Sequence, residues 1–448
     1  MNSGLDKITE ALIEAARTAG ATAAEAMAVE SRLLGIGVRG GALEQAERAE
    51  ATDIGLRVLI GGQQACVSAS DTRTETLHTL AERAVAMARE APIDPHAGLA
   101  DPSELGSACP VEELELCDPA PEPAPAALQE AAHEAEAAAL AVAGVTQVQS
   151  AAAQWSRRRI HIAASNGFRA GYIRTDSALH CTAIAGTGTG MHRGSDGDSR
   201  IFRADLIDAR DIGRVAVERA VAMLGARKPP TGAFPVLFDE RVAGTLIGHL
   251  LAAANGAAIA RGASWLRERL GERILPAPLS LIEDPLRRRA SASRPFDAEG
   301  LATRRRAIID GGVLNGWILD LATARKLGLA STANAHRGLS GPPTPAAWNV
   351  ALTQGDRSRE ALMREMGTGL LVTSLIGATI NPNTGDYSRG AAGFWVENGE
   401  IAYPVHECTI AGSLPEMLAG MVPANDARPW LSRVVPSLLV SGLTLAGA

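Results

Sequence analysis

The sequence predicts an α+β protein, with small antiparallel sheets in its N-terminal region and a larger, mainly antiparallel C-terminal domain with helices. Three observations support this class. Helical patterns flank short strand-like runs over residues 1–90, turn signals separate strand pairs in the C-terminal half, and no βαβ rhythm occurs there. With 46% hydrophobic and 21% charged residues among 448, the composition is that of an ordinary globular protein.

The first predicted unit, residues 1–90, is α+β. Its first helix is amphipathic, because apolar residues recur at helical spacing, and Gly61-Gly62 is a turn signal between two strands. The predicted elements are, in order, a helix over 5–20, strands over 33–39, 56–60 and 64–70, and a helix over 74–90.

Residues 91–125 change character, since eight prolines fall within them. Proline lacks the amide hydrogen that sheets and helix interiors require, so this stretch is predicted to be a surface connection. The central unit then spans 126–228 and is α+β, with Asn166-Gly167 as its hairpin turn. Its predicted elements are a helix over 126–143, strands over 159–164, 169–175 and 178–185, a loop over 186–197 and a helix over 209–225.

The C-terminal domain is predicted to span 231–448 and to be rich in hairpins. Asn398-Gly399 between two apolar runs is the clearest hairpin signal of the chain. The other predicted elements are a strand over 234–238, a helix over 240–255, a hairpin over 307–319 and a closing strand over 434–445.

Charge and cysteine content exclude several classes. The net charge is −7, and the three Arg triplets (157–159, 287–289 and 304–306) lack interleaved aromatics, so they predict solvated surface and not a nucleic-acid interface. The five cysteines include no CxxC pair, which favours a reduced, cytoplasmic location. We expect neither a secretory signal nor a membrane-spanning helix, because the required apolar runs are missing.

Several C-terminal stretches carry a resemblance to a known family. They are GDYSRGAAGFWVENGEI at 385–401, GTGLLVT at 367–373, and Gly248-His249-Leu250 followed by Asn255-Gly256. In these stretches, and in segment order over essentially the whole chain, the sequence resembles the PmbA/TldE type of the TldD/PmbA metalloprotease family. That family pairs two homologous subunits, of which the TldD type binds zinc through a His-Glu-x-x-x-His helix and a downstream Cys.

The resemblance implies that this chain binds no zinc itself and that a TldD-type partner supplies it. Aligned with the zinc-binding helix, Gly248 and Ala253 fall at the two ligand positions, and neither side chain has a donor atom. His249 falls where the general base stands, and Cys408 lies too early to be the third ligand. No catalytic residue is therefore assigned, with His249 as a weak candidate; a hydrogen-bonded core histidine is the alternative interpretation.

Other constellations leave alternatives open. On a strand, His406 and Cys408 would share a face and could join His249 at a metal, or simply pack at the strand end. The glycines of 186–190 lack a following Gly-Lys-Ser/Thr, and Asp196 and Asp198 lack the last ligand of a calcium loop, so both predict surface loops.

The stretch 385–390 is the other candidate site. A salt bridge between Asp386 and Arg389 would lock a tight turn; alternatively, Asp386, Tyr387, Ser388 and Arg389, with Trp395, form a chamber wall or interface shared with the partner. Aromatic residues such as Trp395 are favoured interface anchors, although filling an aromatic-poor core is the competing explanation.

Two functions follow from the resemblance. The first is a non-catalytic subunit of a cytoplasmic TldD/TldE-type metalloprotease that degrades or matures unfolded or short peptides, inactive alone and paired in a heterodimer. The second is a stand-alone homodimeric binding or regulatory protein, similar to relatives called gyrase modulators, without protease activity. A weaker third is an independent hydrolase that uses His249.

Overall fold

The computed structural model describes residues 4–106 and 109–447, and two six-stranded sheets dominate this part of the chain. The first sheet has the order β3-β2-β1-β4-β5-β6, and every neighbouring pair in it is antiparallel. Its strands are β1 Ala23–Arg39, β2 Ala42–Ile60, β3 Gln63–Ala69, β4 Val145–Ala164, β5 Arg169–Ala185 and β6 His192–Arg200. The central pair β1–β4 joins the first and central units of the sequence into one layer.

Four helices pack on one face of this N-terminal sheet. They are α1 Leu5–Ala19, α2 Thr74–Glu90, α3 Pro125–Leu140 and α4 Ala209–Val221. Two apolar clusters lie beneath them, one under α1 and α2 and one under α3 and α4. Because strand residues alternate between faces, Leu179 and Cys181 of β5 point to the helices while His180 points to the opposite, open face.

The structure corrects two predictions in this region. Residues 178–185 are not a separate third strand, because they continue the strand that begins at Arg169. The loop predicted over 186–197 gives way at His192 to strand β6, which pairs with β5. The glycines there serve close packing as well as turning: a Cβ on Gly194 would lie 2.3 Å from the Ala216 carbonyl oxygen of α4.

The second six-stranded sheet belongs to the C-terminal domain and has the order β16-β15-β14-β7-β19-β17. Only the β7–β14 pair in it is parallel, so the predicted α+β class with a mainly antiparallel C-terminal domain is confirmed. Its strands are β7 Gly232–Phe238, β14 Gly369–Ile380, β15 Asp386–Glu397, β16 Glu400–Ser413, β17 Val422–Pro423 and β19 Leu438–Ala446. The β15–β16 turn is the predicted hairpin, with φ of 53° at Asn398 and 79° at Gly399.

The rest of the domain packs around this sheet. Its helices are α5 Glu240–Ala253, α6 Gly256–Ala260, α7 Leu321–Leu327, α8 Arg359–Met366 and α9 Leu414–Ala419. The smaller strands are β8 Leu281–Glu283, β9 Arg306–Asp310, β10 Val313–Leu314, β11 Ala335–His336, β12 Thr344–Pro345, β13 Val350–Leu352 and β18 Arg433–Val434. The closing strand predicted over 434–445 is thus two strands, β18 and β19. Five of the smaller strands form a second sheet of the domain, in the order β10-β9-β8-β13-β18. The largest apolar cluster of the described chain lies between α5, this sheet and the six-stranded sheet of the C-terminal domain.

The proline-rich connection packs against the rest of the folded chain. Two short 3₁₀ turns, Pro102–Glu104 and Val111–Leu114, interrupt it, and Leu114 and Leu116 are buried beside Ile201. Elsewhere in the described ranges, no helix combines the length and apolar character needed to cross a membrane.

Candidate functional site

Helix α5 is the element that the resemblance aligns with a zinc-binding helix. It forms because apolar residues at helical spacing bury one face against the C-terminal sheet. The buried Asp239 caps its start by accepting from the backbone N–H of Arg241, and also binds the guanidinium groups of Arg241 and Arg359 at 2.6 and 2.9 Å. Burial acts to raise the pKa of Asp239, but the hydrogen bonds and charges of the two arginines hold that pKa below its ordinary value.

Two glycines one turn apart open a groove along α5, and the side chain of Arg433 from β18 lies in it. A Cβ on Gly248 would lie 2.9 Å from the Nη1 atom of Arg433, and a Cβ on Gly244 would lie 3.6 Å from its Cδ atom. The Nη1 atom also reaches the Gly244 carbonyl oxygen at 3.4 Å. A larger side chain at position 248 would therefore have to displace a guanidinium group.

The donor set around α5 does not fit a zinc ion. Gly248 and Ala253 have no ligand atoms, and Arg433 brings a positive charge to the same place. Across residues 4–106 and 109–447, no three His, Cys, Asp or Glu side chains are grouped closely enough to hold a metal ion. These residues therefore supply no donor set for a metal-dependent step.

His249 packs against Tyr387 of β15, with ring centroids 6.0 Å apart and an edge-to-face angle of 73°. The Nε2 atom of His249 and the hydroxyl of Tyr387 are both buried without a hydrogen-bond partner. The sequence interpretation of His249 as a hydrogen-bonded core residue is therefore wrong at that nitrogen. Burial, reinforced by the charges of Arg389 and Arg433, lowers the pKa of His249, so its imidazole is neutral at neutral pH.

The structure does not bring His406 and Cys408 together with His249 in a metal-binding group. A positive φ of 52° at Glu407, next to an irregularity in the β15–β16 pairing, interrupts the alternation that would have put both on one face. Cys408 is buried in the apolar core and donates to the Ala391 carbonyl oxygen. His406 instead lies beside His192, with ring centroids 5.7 Å apart.

The expected salt bridge between Asp386 and Arg389 is absent from the part of the chain that the structure describes. Asp386 is exposed and accepts from the Thr384 hydroxyl at 2.6 Å. The Nε atom of Arg389 donates to the Gly377 carbonyl oxygen at 2.6 Å. Of the remaining candidates, Ser388 is half-buried and Tyr387 is 2% exposed.

Trp395 lies in the core of the C-terminal domain and is 2% exposed. It meets Phe234 edge-to-face at 5.0 Å, stacks on Tyr403 at 6.4 Å, and donates from Nε1 to Glu397. Trp395 is therefore packed inside the C-terminal domain, as expected of a residue that fills an aromatic-poor core.

Sequence reasoning missed a basic cleft of about 630 Å³ between the open face of the N-terminal sheet and α5. It continues into a second cleft of about 430 Å³ that shares His180, Gly197 and Arg428 with it. The side chains that decide its character are His180, Arg219, Thr245, Arg241, Arg389 and Arg428. They come from five separate stretches of the chain, so no local signal in the sequence could have placed them together.

Asp196 and Asp198 do not lie on a loop, which corrects the sequence prediction. Both are in strand β6, where Asp196 binds Arg219 at 2.7 Å and Asp198 binds Arg200 at 2.8 Å. The carboxylates are thus used in ion pairs beside the cleft. The glycines at 186–190 form the turn between β5 and β6.

Models of one protein family match the chain in three consecutive parts. They are described as PmbA/TldA metallopeptidase domain 1, central domain and C-terminal domain, and match residues 24–88, 118–224 and 231–447.

Full-length relatives agree with this match. The chain is 36% identical to "Metalloprotease PmbA" of Escherichia coli O157:H7, over 93% of this chain and 91% of that protein. It is 34% identical to a "Metalloprotease PmbA homolog" of Haemophilus influenzae, over 97% and 94% of the two chains.

Solved structures share the fold. A protein of Bacteroides thetaiotaomicron, described as a candidate modulator of DNA gyrase, superposes with a TM-score of 0.91 at 27% identity and covers 100% of both chains. TldE from Thermococcus kodakarensis superposes with a TM-score of 0.85 at 22% identity, over 98% of this chain and 100% of that one.

Proposed function

Since the chain belongs to the PmbA/TldA metallopeptidase family, we propose that it is a PmbA/TldE-like, non-catalytic subunit of a metalloprotease that cleaves unfolded or short peptides. One observation carries the proposal: the Arg433 guanidinium lies against Gly248 of α5, and the resemblance aligns Gly248 and Ala253, which have no donor atoms, with the two zinc ligands. A chain that keeps the scaffold without a donor set can contribute binding, enclosure or regulation, but not a zinc-bound water.

In this proposal, a TldD-type subunit in the same cytoplasm supplies the zinc ion and the general base. Homologous subunits commonly pair about a two-fold or pseudo-two-fold axis, so a heterodimer and a homodimer could use the same surface. The stretch 385–390, with exposed Asp386 and half-buried Ser388 and Arg389, is the part of the C-terminal domain that we place nearest to that partner.

The peptide-binding element in this proposal is the cleft along the open face of the N-terminal sheet. Ser195 and Thr182 lie across from each other on β6 and β5 and line it, together with His180. Polar side chains and main-chain groups bind an extended peptide with little regard to its sequence, which suits a protease for unfolded chains. The adjoining second cleft extends the groove, so that it is long enough for more than one peptide residue.

Reconstitution tests the proposal. The chain and a TldD-type subunit are purified separately without chelator, mixed, and assayed for metal content and for cleavage of an unfolded protein. We expect no stoichiometric zinc and no cleavage from this chain alone, and zinc-dependent cleavage from the mixture. About one zinc per isolated chain, lost on His249→Ala, would contradict the proposal.

Two further outcomes separate the alternatives. If the isolated chain cleaves peptide and His249→Ala abolishes this, the chain is an independent hydrolase. If it forms a homodimer that neither binds the TldD-type subunit nor changes its activity, the stand-alone regulatory function, similar to that named for the Bacteroides relative, replaces the subunit role.

A further inference from the structure

Two arginines beside α5 carry charges that no carboxylate neutralises within the described ranges. Arg389 donates to the Gly377 carbonyl oxygen at 2.6 Å, and Arg433 reaches the Gly244 carbonyl oxygen at 3.4 Å. Neither forms an ion pair within 4.0 Å with a described Asp or Glu, although both lie close enough to His249 to lower its pKa. Guanidinium groups satisfied only by single carbonyl oxygens retain free donors for an anion.

Neighbouring arginines of the same cleft are paired. Arg241 binds Asp239 at 2.6 Å, and Arg428 binds Glu240 at 2.7 Å. Arg241 and Arg428 are therefore neutralised by carboxylates, whereas Arg389 and Arg433 have no such partner within the described ranges.

Buried polar atoms of His249 and Tyr387 lie near these two arginines. Neither His249 Nε2 nor the Tyr387 hydroxyl makes a hydrogen bond of ordinary geometry, and the two rings contact each other. Tyr387 is 2% exposed, and although the Arg389 guanidinium is near enough to interact with its hydroxyl, the lack of a well-formed hydrogen bond is costly for a buried polar group unless a ligand satisfies it. Burial raises the pKa of Tyr387 to about 12, although the charge of Arg389 and its hydrogen-bonding interaction with this hydroxyl oppose the rise, so the hydroxyl keeps its proton. Neutral imidazole likewise keeps one N–H to donate.

The basic cleft meets this cluster at Arg389, whereas His249, Tyr387 and Arg433 are not among the side chains that line it. Arg389 and Thr245 line the cleft, and Thr245 lies one helical turn before His249 on α5, so both project from neighbouring positions of one face. A ligand that lies in the cleft can therefore extend an acidic group toward Arg389 and His249.

We propose that Arg389 and Arg433, with the Tyr387 hydroxyl and the His249 N–H, form a carboxylate-binding site that holds an acidic group of a peptide. That the ligand is a peptide rests on the proposed function, whereas the carboxylate chemistry rests on the cluster itself. Guanidinium groups bind carboxylates through short, charge-assisted and often bidentate hydrogen bonds, and two of them fix both position and orientation. The carboxylate comes from the peptide C-terminus or from an Asp or Glu side chain.

Calorimetric titration of the full isolated chain with three acetylated five-residue peptides tests the site. The first peptide, of Ala and Leu, has a free C-terminus, the second is its C-terminal amide, and the third is the amide with a central Glu. We expect at least one of the two carboxylate peptides to bind at least about tenfold more tightly than the plain amide, as loss of a charged hydrogen bond requires. Tight binding of the Glu amide alone assigns the site to side-chain carboxylates, tight binding of the free acid alone assigns it to the C-terminus, and tight binding of both shows that the site accepts either.

Matched variants locate the site. Arg389→Met and Arg433→Met should each weaken binding of the carboxylate peptide about tenfold or more, whereas Arg304→Met, at an exposed position, removes one charge and should change nothing. Gly248→Ala keeps every charge but places a Cβ 2.9 Å from Nη1 of Arg433, so it should also weaken binding. Gly244→Ala, with only an ordinary 3.6 Å contact, is its control on the same helix. Thermal unfolding of each variant shows that the fold is kept.

Three results would overturn the site: no binding of either carboxylate peptide, equal binding of all three peptides, or unchanged affinity for the carboxylate peptides in both arginine variants. The outcome is separable from that of the reconstitution assay. Cleavage by the subunit pair with no carboxylate preference leaves the proposed function standing without this site. Carboxylate binding by a chain that does not associate with the TldD-type subunit leaves the site standing without that function.

Discussion

Replacing Glu25 by Gln should separate the N-terminal sheet from the C-terminal domain. Glu25 of β1 is paired across the sheet with Arg57 of β2, and the two side chains form an ion pair at 3.1 Å. Arg337, which follows β11 in the C-terminal domain, contacts the other carboxylate oxygen at 2.7 Å. All three side chains are at most 2% exposed, so one buried carboxylate holds two guanidinium groups from different domains.

The expected effect is large because the change leaves two buried charges without their counter-ion. Removing one partner of a buried ion pair costs about 3–5 kcal/mol, a large part of the about 5–15 kcal/mol that holds a typical domain folded. Gln keeps the shape of Glu, so packing changes little and the loss reports the charge. At about 1.4 kcal/mol for each factor of ten, amides near Arg337 should exchange with solvent faster by two to three and a half orders of magnitude, roughly.

Hydrogen–deuterium exchange measured by mass spectrometry, together with the urea midpoint, tests this. Glu14→Gln is the control, since Glu14 pairs with Arg17 on α1 with both side chains more than half exposed, and should leave both measurements unchanged. The reasoning is wrong if Glu25→Gln shows the same midpoint and the same exchange near Arg337 as Glu14→Gln.

Two other expectations concern buried residues. Trp395→Ala should lower the free energy of unfolding by about 3–5 kcal/mol, seen as a lower urea midpoint, because it empties a packed aromatic site; a loss no greater than that of the half-exposed Leu43→Ala would contradict its place in the core. Burial raises the pKa of Asp297 to about 7, although backbone N–H donors oppose this. Burial and the charge of Asp297 also raise the pKa of the neighbouring Glu299, so the folded state holds protons on this pair more tightly than the unfolded state does. The stability should therefore fall as pH rises above about 4, and Asp297→Asn should reduce that slope.

Local chemistry explains why much of the fold is predictable from the sequence. The hairpin at Asn398-Gly399 depends on two consecutive residues that tolerate positive φ, and the helices α1 and α2 depend on apolar spacing within a few turns. Their ends fall within one residue of the predicted limits. None of these elements needs a distant partner to be recognised.

Elements that distant contacts define were not predictable. Strand β6 exists because it pairs with β5 and because Gly194 lets α4 approach closely, yet its composition of Gly, Asp and Ser indicates a loop. The joining of β1 to β4 depends on hydrogen bonds between segments that a proline-rich connection separates. The strand propensity of individual residues depends on the local sequence, so it predicts neither the pairing of β6 with β5 nor that of β1 with β4.

In the candidate site, too, the features that depend on residue type are predictable from the sequence, and those that depend on distant contacts are not. The lack of ligand atoms at Gly248 and Ala253 is a property of residue types and is visible in the sequence. The presence of Arg433 in the groove is not visible in the sequence. Arg433 lies 189 positions after Gly244 and reaches it only in the folded chain. The burial of the His249 and Tyr387 polar atoms is likewise a consequence of packing between α5 and β15.

The residue types at positions 248 and 433 depend on each other, because the Arg433 guanidinium fills the space that a side chain at 248 would need. A histidine at 248 would need the space that the guanidinium fills, and an arginine at 433 would repel a zinc ion held one contact away. Each residue alone weakens a metal site, but the pair replaces it with a fixed positive charge that can bind an anion without polarising water for attack. Under the two proposals, the cation at this point of the scaffold attracts a peptide carboxylate, and the hydrolytic step belongs to a partner subunit that has the ligand atoms.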